Sequence, residues 1–227
     1  MSIFLRAHWR NLAIVSYAVP EEILIPYLPA GCELDRIDGA AFASLVAFEF
    51  LDTRVLGIKV PGFVNFLEWN LRLYVRQGSR RGVVFVREFV PSRMIAAIAR
   101  WGYNESYENA ALRQEITRDQ MRYGVSWKGD SGLIALGLKP QPQSADHSSR
   151  EHFFKEHQWG FGSSRSGERI AYEVVHPVWY VLPVTSVSVE IDWAALYGRP
   201  WAAMQGAEPY HAAFAVGSDV TVSWPMR

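Results

Sequence analysis

The stretch Gly82-Val83-Val84-Phe85-Val86-Arg87-Glu88-Phe89-Val90-Pro91 decides the fold class. Its β-branched and aromatic residues, bounded by Gly82 and Pro91, read as a strand. Successive side chains of a strand face opposite sides, so Val83, Phe85, Arg87 and Phe89 share one face and Val84, Val86, Glu88 and Val90 the other. Both faces are mostly apolar, so both are expected to be covered. Each then carries a charge that needs a partner or access to water. A structural ion pair and a polar floor under a ligand cavity are the two outcomes.

Working outward, Glu68 to Arg76 alternates Asn70, Arg72, Tyr74 and Arg76 against Leu71, Leu73 and Val75. The turn Gln77 to Gly82 joins it to the first stretch as a hairpin. Ala40 to Phe50 alternates again, and its face Ala41, Ala43, Leu45, Ala47 and Glu49 is small, which leaves space on the side where Glu49 points. Leu12 to Val19 is a further strand, and Pro20 opens a short helix to about Leu28, with Glu21 and Glu22 at the positive end of its dipole. Asp52 to Phe66 reads as loop, and Pro91-Ser92 opens a helix over Arg93 to Arg100. More strands fall at Met121 to Lys128, Gly132 to Leu138, Ile170 to His176, Val184 to Ile191 and Val220 to Trp224, and Asp192 caps a helical turn ending near Gly198. Residues 139–150 are polar and proline-containing, as in an exposed loop. No βαβ rhythm points to a parallel sheet. The expectation is one mainly β domain over residues 1–227, an antiparallel, barrel-like sheet with a few short helices.

With 23 basic and 23 acidic residues the chain has no electrostatic footprint for nucleic acid. No apolar run approaches the roughly 18 residues of a membrane span. Cys32 is the single cysteine, so no intramolecular disulfide forms, and a reducing, cytoplasmic setting is expected. Arginine dominates the basic residues, since Lys59, Lys128, Lys139 and Lys155 are the only lysines. Arginine suits planar recognition of carboxylate or phosphate. No nucleophile elbow, P-loop or dinucleotide fingerprint is present, so no cofactor is expected.

Glu88 and Arg87 are the first candidate site residues, with Arg93 close behind. Each has a structural alternative in an ion-pair network. Glu68, Asn70 and Arg72 alternate on the hairpin partner, where cross-strand pairing with Arg87 or Glu88 is within reach. Glu49, Arg54 and Tyr103 complete the set. Arg54 has turn chemistry with Asp52 as its alternative, and Tyr103 has aromatic packing. His152 and His157 are five apart, lack metal-ligand spacing and would face opposite sides of a strand, so no metal site is expected. His176, before Pro177, reads as a hydrogen-bonded structural histidine.

Several blocks resemble one family: Trp9-Arg10-Asn11-Leu12, Pro26-Tyr27-Leu28-Pro29-Ala30-Gly31, Leu51-Asp52-Thr53-Arg54-Val55-Leu56-Gly57, Asn65-Phe66-Leu67-Glu68-Trp69-Asn70-Leu71-Arg72, Tyr103-Asn104-Glu105-Ser106-Tyr107, Glu156-His157-Gln158-Trp159-Gly160 and His176-Pro177-Val178-Trp179. They resemble the YqjF-like family of conserved bacterial proteins over nearly the whole chain. That family is similar in turn to acetoacetate decarboxylases, which implies a cone-like antiparallel β structure around an internal cavity. The decarboxylases carry a lysine pair just after the strand corresponding to Arg87-Glu88, one lysine forming a Schiff base with the keto acid. Here that stretch reads Ser92-Arg93-Met94-Ile95, and arginine cannot supply the amine. Schiff-base chemistry by that route is not expected.

Two functions from different classes remain. One is binding of a small, anionic molecule in the β cavity, with Arg and Glu anchors. The other is an enzyme on small carbonyl or carboxylate compounds, with Glu88 or Glu68 as general acid or base and arginine holding the substrate. A homo-oligomer is compatible with either.

Overall fold

A computed structural model of the chain describes residues 2–92, 106–144, 149–164 and 167–226. The strands are Ile3–Ala18 (β1), Glu33–Leu34 (β2), Phe42–Val55 (β3), Phe66–Gln77 (β4), Arg80–Val90 (β5), Tyr107–Asn109 (β6), Ala111–Ile116 (β7) and Gln120–Trp127 (β8). They continue with Asp130–Leu138 (β9), Gln143–Ser144 (β10), Trp159–Ser163 (β11), Arg169–Val175 (β12), Tyr180–Leu182 (β13), Val184–Ile191 (β14) and His211–Ser223 (β15). Among the described residues the α-helices are Glu21–Leu24 (α1), Arg150–Lys155 (α2) and Trp193–Tyr197 (α3). The helix expected over 93–100 lies outside the described residues.

The large sheet runs β1, β3, β4, β5, β11, β12, β15, and β15 pairs back with β1. Seven strands therefore complete a circuit of backbone hydrogen bonds, which removes most of the exposed edge. Its pairings are antiparallel except β5 with β11, and the flanking β6 also joins β5 in parallel. A second, four-stranded sheet has the order β14, β9, β8, β7.

Two apolar layers lie on either side of the circuit's wall. Outside, Met121, Tyr123 and Leu136 of the second sheet share one buried cluster with Ala13, Ala43, Ala47 and Trp69. The small face of β3 is thus covered by that sheet and not left as space, which corrects the expectation of room where Glu49 points. Small side chains let the second layer approach closely. Inside, Leu12, Val46, Phe48, Phe50, Tyr74, Val83 and Trp179 belong to a separate cluster.

The sequence pattern misplaced one face of β5 because a bulge interrupts it. Leu71 opposes Arg87 but Arg72 opposes Phe85, so Val86 is the extra residue. A bulge shifts which side later residues face. Val83, Phe85 and Glu88 accordingly look inward, while Val84, Val86 and Phe89 join the outer cluster. A similar irregularity in β1 falls between Arg10 and Ala13, where Asn11 has a φ of 56°. Trp9 and Leu12 both face inward across it.

The strand expected from Ala40 runs on to Val55, into the segment read as loop. Within the stretch read as exposed loop, Gln143–Ser144 pair as β10 with β13, and Arg150 opens α2. Asp192 caps α3 as expected, its carboxylate accepting from the Ala195 amide at 2.9 Å.

Candidate functional site

Each strand of the circuit sends a side or main chain to one interior cavity: Leu5, Val46, Glu68, Val83, Gly160, Tyr172 and Val222 come from the seven strands in turn. Its volume is about 90 Å³. An apolar cavity of about 150 Å³ accommodates benzene, so this one suits a ligand of roughly four to six non-hydrogen atoms. Phe48, Phe50, Phe85, Trp9 and Trp179 supply apolar walls.

The polar lining begins on β4, whose period-two alternation puts Glu68, Asn70 and Arg72 on the inner face. Glu68 and Asn70 are buried, and the Asn70 amide donates to Glu68 Oε1 at 2.9 Å. Tyr107 Oη lies 3.5 Å from Glu68 Oε2. Glu88, 1% exposed, stands opposite Asn70 in the strand register. Arg72 donates from Nη2 to the Phe154 carbonyl at 3.0 Å, and its Nε is buried without a protein partner among the described residues. Asn70 Oδ1 is in the same position. The sequence thus indicated Glu68, Asn70, Arg72 and Glu88, and the fold brings all four to one cavity.

Helix α2 adds residues that sequence reasoning had not assigned to a site. Ser149 caps it, accepting from the His152 amide at 3.2 Å, and Phe153 and Phe154 are buried along it. Those anchors drive Lys155 inward, where its side chain is fully buried and lines the cavity. Its Nζ is ion-paired with Glu156, whose Oε1 also accepts from the Trp179 amide at 3.3 Å. His176 stacks on Trp179 at 3.9 Å and approaches Glu156 Oε2 at 4.0 Å. Burial, with Lys155 and Arg72 nearby, pushes His176 below its ordinary pKa, against the pull of Glu156. The sequence hint for Lys155 is a lysine directly after the apolar pair Phe153-Phe154. No lysine occupies 92–95, yet the fold brings one into the cavity from another element.

His157 follows and also lines the cavity. Its Nε2 lies 3.3 Å from Asp35 Oδ2, which accepts from Arg81 Nε at 2.6 Å. Asp35 is fixed in turn by its amide, which donates to the Tyr74 carbonyl at 3.0 Å. Among the described residues no group of three or more His, Cys, Asp or Glu is placed to hold a metal ion.

The remaining candidates stand elsewhere. Arg87 turns to the outer layer, where it lies over the Trp127 ring at 4.7 Å and donates to the Leu196 carbonyl. Glu49 accepts from the Asn11 amide at 2.6 Å and from Gln114, tying β1, β3 and β7 together. Arg54 is exposed and pairs with Asp52 at 3.4 Å. Arg93 and Tyr103 lie outside the described residues.

Residues 6–219 match the model of the DUF2071 family, described as an uncharacterized conserved protein. The chain belongs to that family. It is 24% identical over 192 residues to the uncharacterized protein YqjF of Bacillus subtilis (strain 168), covering 83% of this chain and 78% of that protein. Its fold is similar to acetoacetate decarboxylase from Legionella pneumophila, with a TM-score of 0.71 at 13% identity, over 99% of this chain and 86% of that one. It is also similar to the enduracididine biosynthesis enzyme MppR complexed with pyruvate, with a TM-score of 0.70 at 13% identity, over 100% and 90% of the two chains. The family and the decarboxylase-like, cone-shaped β fold are therefore as the sequence blocks implied. No helix among the described residues is long and apolar enough to cross a membrane.

Proposed function

We propose that the protein binds a small carboxylate in the interior cavity. The observation that carries this reading is the placement of two cations, the half-buried Arg72 and the buried Lys155, in the wall of one interior cavity of about 90 Å³. Arg72 keeps a buried Nε–H with no protein partner among the described residues. A buried donor of this kind is met by something inside the cavity, and a guanidinium matches a carboxylate. That a neighbour of the same fold is complexed with pyruvate supports the size class.

Isothermal titration of lactate and pyruvate against lactamide and pyruvamide tests the charge requirement. The acids are expected to bind at least tenfold tighter than the amides. Arg72→Met is expected to weaken the acids by about 10- to 150-fold, the range for losing a charge-assisted hydrogen bond. Equal binding of acid and amide would remove the reading.

Lys155 favours a second, catalytic reading on the same cavity. After passing its proton to Glu156, the amine attacks a ligand carbonyl carbon, and the carbonyl oxygen departs as water to leave an imine. Glu88 or Glu68 then serves as the acid or base for the proton transfers. Borohydride added with pyruvate would fix such an adduct as a secondary amine, read by mass on the peptide carrying Lys155. An unmodified peptide at saturating pyruvate leaves binding alone.

A further inference from the structure

The imidazole of His157 is held at one nitrogen and open at the other. Burial would raise the Asp35 carboxyl, but the hydrogen bonds from His157 and Arg81 outweigh it and hold Asp35 below the ordinary carboxylate range. A carboxylate only accepts, so His157 Nε2 carries the hydrogen of the 3.3 Å contact. Burial pushes His157 down to about 4, against the hydrogen bond to Asp35 and with help from Arg81 and Arg72, so the ring is neutral near pH 7. A neutral ring with hydrogen on Nε2 presents a bare lone pair at Nδ1. That Nδ1 is buried and has no protein partner among the described residues. The rings of Tyr74 and Phe153, at 4.8 and 5.3 Å, fix the imidazole in place.

We propose that His157 Nδ1 accepts a hydrogen bond from a hydroxyl on the bound carboxylate, so that the cavity selects small hydroxycarboxylates. The inference rests on the carboxylate reading above and adds the second half of the ligand. Arg72 and His157 both lie against the Tyr74 ring, at 5.7 and 4.8 Å from its centre. A cation for the carboxylate and an acceptor for the hydroxyl therefore occupy neighbouring wall positions. A ligand without a donor leaves a buried acceptor unmet, a loss of roughly 5- to 150-fold in affinity. Asp35 and Arg81 act through His157 as positioning residues, since they fix which nitrogen is bare.

Calorimetric titration of lactate and propionate, which share a carbon skeleton, is combined with nitrogen-15 NMR of the His157 ring. Lactate is expected to bind at least about fivefold tighter than propionate, and His157→Phe is expected to erase that preference. The NMR spectrum of the unsubstituted protein, which needs no variant to fold, is expected to show hydrogen on Nε2 and a Nδ1 resonance that moves with lactate. Equal binding of lactate and propionate would overturn the inference and leave the carboxylate reading standing. Binding of neither would overturn both. Hydrogen on Nδ1 would overturn the inference whatever binds.

Discussion

Acidification tests the neutral imidazole directly. The folded protein holds His157 at about 4, whereas the unfolded chain titrates it at the ordinary 6.5. Between those values the unfolded chain binds a proton at this ring that the folded chain refuses. Stability therefore rises with pH across this window, and the contribution is lost as pH falls through it. The gap, at 1.36 kcal/mol per pH unit, comes to about 3 kcal/mol. Asp35 acts outside this window, because its folded value is depressed and its stabilisation is lost only below the ordinary carboxylate range. His176 and His211 are also pushed down by burial and contribute their own acid sensitivity.

The measurement is a set of urea transitions from about pH 7 to about pH 4.5, followed by tryptophan fluorescence, for the wild type and His157→Gln. The glutamine amide can still donate to Asp35 and does not titrate. His176 and His211 are common to both proteins, so the difference isolates His157. The wild type is expected to lose about 2–3 kcal/mol more than the variant over this range. Parallel decline of the two curves would refute the neutral ring, and with it the bare Nδ1.

Three further outcomes follow from named contacts. Lys155→Met strands the buried Glu156 carboxylate and is expected to cost about 3–5 kcal/mol in urea unfolding, whereas the double change Lys155→Met with Glu156→Leu recovers most of it. Gly82→Ala is expected to lower stability by about 1–3 kcal/mol and to loosen the β5–β11 junction in hydrogen exchange, because a Cβ there would press on the Trp159 carbonyl and sit 2.6 Å from the Phe161 ring. Glu49→Ala leaves the Asn11 and Gln114 amides without their acceptor and is expected to cost about 1–3 kcal/mol while leaving lactate affinity unchanged in titration.

The sheet was legible because strand periodicity is a local property. Glu68, Asn70, Arg72 and Tyr74 against Trp69, Leu71 and Leu73 need no knowledge of the partner strand to be read. Which face of β5 carries Glu88 was not legible, since a bulge at Val86 is set by pairing with β4 and flips the count. Arg87 illustrates the result: alternation put it with Phe85, and the fold turns it to Trp127 instead. The Asp35–His157 contact spans 122 positions and depends on where the chain returns, so no spacing within the sequence encodes it. Lys155 escaped notice for a related reason. A six-residue helix gives too little periodicity to show which side is buried.

Hydrogen-bond accounting separates the polar residues of the cavity into two groups with different work. Lys155 is ion-paired with Glu156, which also accepts from the Trp179 amide, and these contacts tie α2 to the segment before β13. Among the described residues, Arg72 Nε, Trp9 Nε1, Asn70 Oδ1 and His157 Nδ1 of the cavity wall are each buried without a hydrogen-bond partner. Leaving such atoms unmet costs about 1–3 kcal/mol apiece, so in the binding reading proposed above an occupant that meets them gains affinity. Two are donors, one of them cationic, and two are acceptors. An occupant that satisfies all four carries an anionic oxygen for Arg72, a second acceptor for the Trp9 indole and hydrogen donors for Asn70 and His157, which a hydroxycarboxylate with a bound water supplies. An apolar ligand of the same volume would fill the space between Phe48, Phe50 and Phe85 and still leave every one of those valences open.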